Sequence, residues 1–142
     1  MSKKDKMRQV VKPQEFTHPE LTKAIADLCD DNGPETQEAL AQIIRQMISK
    51  ESQILYTARQ TDDGASACTV EIDGTVFLTA FTEGKYVATA PGVMVLVAPI
   101  NKLLESVCAS DGPRGIVFNA FNKECHCGLT RDLIGKIIRA EI

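Results

Sequence analysis

Residues 68–81 read CTVEIDGTVFLTAF, and this stretch decides the fold class. Cys68, Val70 and Ile72 alternate with Thr69 and Glu71; after Asp73-Gly74, Val76, Leu78 and Ala80 alternate with Phe77, Thr79 and Phe81. A period of two sends successive side chains to opposite faces of a strand, and Asp-Gly suits the backbone of a tight hairpin turn. The face carrying Phe77 and Phe81 is itself apolar, so it too is open to burial.

Working outward from this hairpin, Gln53 to Ala58 reads as another strand, and upstream of it the period lengthens to 3.6. Leu21, Ala24, Ile25, Leu28 and Cys29 form one helical stripe, and Leu40, Ile43, Ile44, Met47 and Ile48 form a second. Thr17 and Glu20 stand three apart, as in a capping box, with Pro19 in the first turn. Asp30 to Gly33 ends that helix and Pro34 opens the next, which predicts an antiparallel helical pair.

Downstream, Thr82 to Gly92 is expected to be a loop or a short distorted helix, interrupted by Gly84, Pro91 and Gly92. Val93 to Val97 is a continuous apolar run suited to a strand covered on both faces. Ile100, Leu103, Leu104, Val107 and Cys108 give a third helix, and Gly115 to Phe118 the last strand. A loop from Asn119 to Gly128 leads to a final helix capped by Thr130, with Leu133, Ile134, Ile137 and Ile138 on its apolar face. The expected class is α+β (mixed α/β): one mixed sheet of about five strands covered by helices, with an N-terminal helical pair. Residues 1–16 read as a basic flexible segment and 17–142 as a single domain.

The 142 residues suffice for one core that buries roughly 70% of the unfolded surface. Five of the 16 basic residues lie in the first twelve positions; the other 130 residues hold 11 basic and 18 acidic side chains, a net of −7. An acidic body repels phosphate backbones, which argues against nucleic acid as partner. The longest mostly apolar stretch, Ala90 to Ile100, is broken by Pro91, Gly92 and Pro99 and is too short for a membrane span. Met7 to Phe16 lacks the apolar run of a secretory signal, so a cytoplasmic location is expected. The five cysteines form no tight framework and are expected as reduced thiols.

Cys125-His126-Cys127 places three metal-ligating residues in a row, but zinc takes four ligands, usually from two separated knuckles. Cys68, Cys108 or His18 would have to complete the set, so the three remain weak metal or thiol candidates and no cofactor is expected. No phosphate-binding glycine loop and no nucleophile elbow is present. Asp30-Asp31 and Asp62-Asp63 are explained by turns. The ends of strands in α/β sheets often present binding groups, which selects Phe81, Thr82, Tyr86, Asn119 and Phe121 as candidate binding residues.

Several segments in order carry a resemblance: the leading helical pair, FLTAFT at 77–82, APG at 90–92, VLVAP at 95–99 and GIVFN at 115–119. Over His18 to about Ile138 the chain resembles the SseB-like family, named after the bacterial enhanced serine sensitivity protein. The resemblance implies an α/β domain of bacterial origin. It implies no catalytic residue, and an association with type III secretion rests on a shared name. Ala120 stands where that family often has Pro, and the second domain of longer members does not follow Ile142, so a minimal single-domain member is expected. The resulting expectation is a non-catalytic protein-interaction or regulatory module with an unidentified protein partner, compatible with a homo-oligomer. The alternative is a small-ligand, metal or thiol sensor or enzyme that uses the loop at Cys125, His126 and Cys127.

Overall fold

The computed structural model describes residues 8–9, 16–62, 64–87, 91–109 and 112–140. Of the basic head, Arg8–Gln9 forms a two-residue strand, β1, and the rest up to residue 15 lies outside the described residues.

Helix α1 spans Pro19–Asp30 and buries Leu21, Ala24 and Ile25, as its stripe requires. Its cap differs from expectation. The Nδ1 of His18, not Thr17, accepts the Leu21 N–H at 3.4 Å, while Thr17 pairs through its backbone with Glu83. That long-range bridge fixes Thr17 one residue outside the helix, and His18 takes the position with a free acceptor. Helix α2, Pro34–Lys50, starts where the Thr36 hydroxyl accepts the Gly33 N–H at 3.0 Å, and it buries Leu40, Ala41, Ile44 and Met47.

The strands are β2 (Gln53–Thr61), β3 (Gly64–Ala67), β4 (Thr69–Ile72), β5 (Thr75–Phe81), β6 (Val93–Pro99), β7 (Gly115–Phe118) and β8 (Cys127–Thr130). Helix α3 is Ile100–Cys108 and α4 is Arg131–Ile138, capped by the Thr130 hydroxyl as expected. A 3₁₀ turn, Gly84–Tyr86, occupies the expected loop. All five expected strands are present; the sheet gains β1, β3 and β8, each only two to four residues long.

The sheet runs β1-β6-β2-β5-β7-β8, and every pairing is antiparallel except β5 with β7. Helix α3 carries the chain from β6 across β2 and β5 to β7, the crossover that a parallel pair needs. Asp73 (φ 52°) and Gly74 (φ 83°) both take the left-handed backbone of the hairpin turn that their sequence predicts.

One face of the sheet, with Ile54, Tyr56, Leu78, Ala80, Ile116 and Phe118, packs into a single core with all four helices. The other face has a smaller cluster, Leu55, Phe81, Val95 and Val97, flanked by Phe16, Tyr86 and Val87. On that second face Phe77 is buried because two glycines make room for its ring. A Cβ on Gly115 would fall 2.6 Å from the Phe77 ring and 2.5 Å from the Leu129 carbonyl, whereas one on Gly128 would sit at 3.6 Å from the ring.

Arg131, at the start of α4, ties the far end of the crossover. Its guanidinium donates to the carbonyls of Val107, Ala109, Gly112 and Pro113, so one side chain satisfies the end of α3 and the turn leading to β7.

Gly115→Ala is expected to cost about 2 kcal/mol by overpacking, while Gly128→Ala changes stability by less than about 0.5 kcal/mol. Urea denaturation of the two variants beside the parent checks the contrast.

Candidate functional site

The expected binding residues do come together, at the ends of β5 and β7, but most of them face one another. Asn119 follows β7 in the left-handed conformation (φ 56°), which asparagine tolerates better than other non-glycine residues. There its side chain is fully buried. Its Oδ1 accepts the Thr82 N–H at 3.0 Å and its Nδ2 donates to the Thr82 hydroxyl at 3.1 Å. The Thr82 hydroxyl also shares a 2.7 Å hydrogen bond with Thr22 of α1, and the Thr82 carbonyl accepts the His18 N–H. Thr82 and Asn119 are both 0% exposed, so they join elements rather than present groups to a ligand.

Cys125 extends this network. Its thiol lies 3.7 Å from Asn119 Nδ2 and 3.5 Å from the Thr22 carbonyl, and it meets the Tyr86 hydroxyl. Burial pushes the Cys125 thiol up from its ordinary range, a shift the Asn119 hydrogen bond partly opposes. Tyr86 is raised as well, first by burial and then by its proximity to Cys125.

Cys125, His126 and Cys127 do not converge. Cys125, in the bend before β8, and Cys127, its first residue, are both buried, whereas His126 between them is exposed. The His126 Nδ1 instead meets the Asn122 carbonyl at 3.0 Å. Among the described residues no three His, Cys, Asp or Glu side chains are gathered in a way that would hold a metal ion. Cys127 is buried enough that its thiol is pushed up to about 12, with Cys29 the next largest influence.

Of the five candidates, Phe121 alone stands well out, 60% exposed, with its ring 6.5 Å from that of the buried Phe81. It overhangs a cleft of about 430 Å³ on the sheet face away from the helices. The cleft has a topological origin. Strand β2 holds β6 along one side from Gln53 to Arg59, so β3, paired to Ala58–Thr61, lies on its other side. Strand β5 likewise holds β7 on one side and β4 on the other. Both β3 and β4 therefore fill the gap between β2 and β5, yet they form no ladder with each other. The chain reverses between them at Cys68, whose N–H donates to the Thr57 carbonyl and whose carbonyl accepts the Thr79 N–H. The result is a fork of two hairpins that diverge from a pinned vertex.

Arg59, Thr57 and Thr79 project on the cleft side of the sheet, with Ser66 and Thr69 on the diverging arms. Among the described residues no carboxylate lies within ion-pair distance of Arg59. Sequence reasoning missed this fork because its reversal at Cys68 uses no Gly, Pro or Asn; the one available signal was a charged Arg59 at the end of an apolar strand.

Compared with known proteins, the chain matches no family model, no curated protein and no solved structure. No helix among the described residues is long and apolar enough to cross a membrane.

Asn119→Ala is expected to cost about 3 kcal/mol, because it leaves the Thr82 N–H unpaired and keeps a Cβ in a left-handed position while removing the side-chain amide that makes that backbone tolerable. Asn119→Gly is expected to recover about 1 kcal/mol of that by relieving the backbone. Chemical denaturation and loss of hydrogen-exchange protection at the Thr82 amide check both.

The thiols also set an alkaline limit. Since Cys127 titrates near 12 when folded and near 9.0 in its ordinary state, its contribution to stability is intact below pH 9 and is lost as pH rises towards 12. Urea midpoints from pH 8 to 11 are expected to fall less steeply for Cys127→Ala than for the parent.

Proposed function

We propose that this chain is a non-catalytic binding module of SseB-like kind, acting in the cytoplasm, which takes up an extended, acidic segment of a protein partner at the fork. The observation that carries this reading is the pair of strand edges, β3 and β4, which among the described residues have no strand partner on the sides that face each other across the cleft. Unpaired strand edges satisfy their N–H and C=O groups by taking up another extended chain. Beside those edges, Arg59, which has no carboxylate within ion-pair distance among the described residues, supplies a cation for a carboxylate, and Phe121 an exposed aromatic anchor. Threonine and serine hydroxyls along the cleft suit a polar backbone better than a wholly apolar ligand.

Kinship with the SseB-like family is part of the same proposal. Its support is that the resembling segments fall on structural joints: 77–82 ends in Thr82, and 115–119 ends in Asn119, the two residues that bond to each other. A non-catalytic role fits a network in which the two inward thiols are held protonated by burial and the buried amide and hydroxyls are spent on one another.

The test is selection from a displayed random peptide library on the purified protein, followed by calorimetry and amide-shift mapping with one enriched peptide. Enriched peptides are expected to be acidic, to shift the amides of residues 64–72, and to lose about tenfold or more in affinity with Arg59→Glu. Perturbation confined to the helical side, or an affinity unchanged by Arg59→Glu, would overturn the reading.

A further inference from the structure

Cys29 lies on the last turn of α1 and is exposed. Its thiol donates to the carbonyl of His126 at 3.1 Å, bridging 97 positions of sequence. That carbonyl belongs to the peptide unit whose nitrogen is that of Cys127, so the Cys29 sulfur is held one residue's reach from the Cys127 side chain. Both cysteines, with His126 and Lys123, line one open pocket of about 390 Å³ at the junction of α1 with the start of β8. This pocket is separate from the fork, and the network around Asn119 does not use Cys29.

We propose that Cys29 and Cys127 are a reversible dithiol–disulfide pair, with Cys29 the thiol that meets a hydroperoxide and Cys127 the thiol that resolves it. In the first step the Cys29 thiolate attacks the outer oxygen of the hydroperoxide. The O–O bond breaks, Cys29 becomes a sulfenic acid, and the remaining oxygen leaves as water or an alcohol after taking up a proton. In the second step the Cys127 sulfur attacks the Cys29 sulfur. The S–S bond forms, the S–O bond breaks, and hydroxide departs with the Cys127 proton as water. The two sulfurs give up two electrons and the hydroperoxide accepts them.

The two cysteines have surroundings suited to these unequal parts. Cys29 faces solvent in an open pocket, where a dissolved hydroperoxide reaches its sulfur directly. The His126 Nδ1 faces a carbonyl, which only accepts, so in the neutral ring Nδ1 carries the proton and Nε2 is left as a base on the pocket wall. Cys127 is enclosed and protonated, so it does not compete for the oxidant and reacts only with a sulfur already beside it. The bond would staple the end of α1 to the edge strand of the sheet.

The experiment treats the purified full chain with hydrogen peroxide and maps disulfides by mass spectrometry after alkylation under denaturing conditions. The expected product has lost two hydrogens, carries a Cys29–Cys127 linkage, and returns to the starting mass with dithiothreitol. Cys29→Ser, a surface change that leaves the fold intact, is expected to keep Cys127 reduced at the same peroxide dose. Cys127→Ser is expected to leave a Cys29 sulfenic acid that dimedone traps. Linkage of Cys29 to Cys125 instead, oxidation of Cys29 straight to sulfinic acid in the parent, or oxidation of Cys127 in the Cys29→Ser chain would each overturn the proposal. These readouts do not involve Arg59 or peptide binding, so they stand or fall separately from the module reading.

Discussion

A single primary amide holds together three parts of the chain that meet only in the folded state. Asn119 ends β7 in a left-handed turn, and from there its side chain closes on the backbone and hydroxyl of Thr82 at the end of β5. Thr82 in turn holds the start of α1 through His18 and Thr22. In the dry interior each of these polar atoms would be costly alone, and together they leave one another satisfied. The parallel pairing of β5 with β7, the docking of α1 and the inward turn of Cys125 all depend on that amide. At the opposite end of β7, Arg131 does a comparable service for carbonyls that a short helix cannot satisfy by itself.

Much of this architecture is legible in the residues, and the legible parts are local. The stripes of Leu21 to Leu28 and Leu40 to Met47 need only a period of 3.6 and a buried side, so both helices form where the stripes lie. Asp73-Gly74 needs only a tight hairpin, and its positive φ angles follow. The parts that were not legible depend on distant partners. Thr17 and His18 are both able to cap α1; what decides between them is Glu83, sixty-odd positions away. Strand β8 is four residues with a glycine inside, too short to show a period, and it exists because β7 offers it an edge.

The site divides in the same way. Strand-end reasoning selects Thr82 and Asn119 as binding residues, and the two lie side by side, yet proximity at a strand end does not say whether polar groups point outward or at each other. Here they point at each other, and Phe121 is left as the exposed member of the set. The Cys125-His126-Cys127 run looks like a ligand cluster when written as text, but the folded chain buries the two thiols and leaves the imidazole between them exposed. Cys29, which belongs beside them, sits almost a hundred residues earlier at the end of a helical stripe, where it reads as one more apolar position.

The fork between β2 and β5 has a mechanical consequence. Cys68 is hydrogen-bonded through its own backbone to both limbs, so the vertex is part of the rigid sheet. Beyond it, each arm is a hairpin with its own internal ladder, and the two arms share none. Changing the angle between them therefore breaks no ladder between the arms, while Ala67, beside the vertex and packed on the main core, stays with the pivot. In mechanical terms the fork is a pair of tweezers at rest, with a fixed pivot and two arms whose separation is set by sheet twist rather than by hydrogen bonds between them.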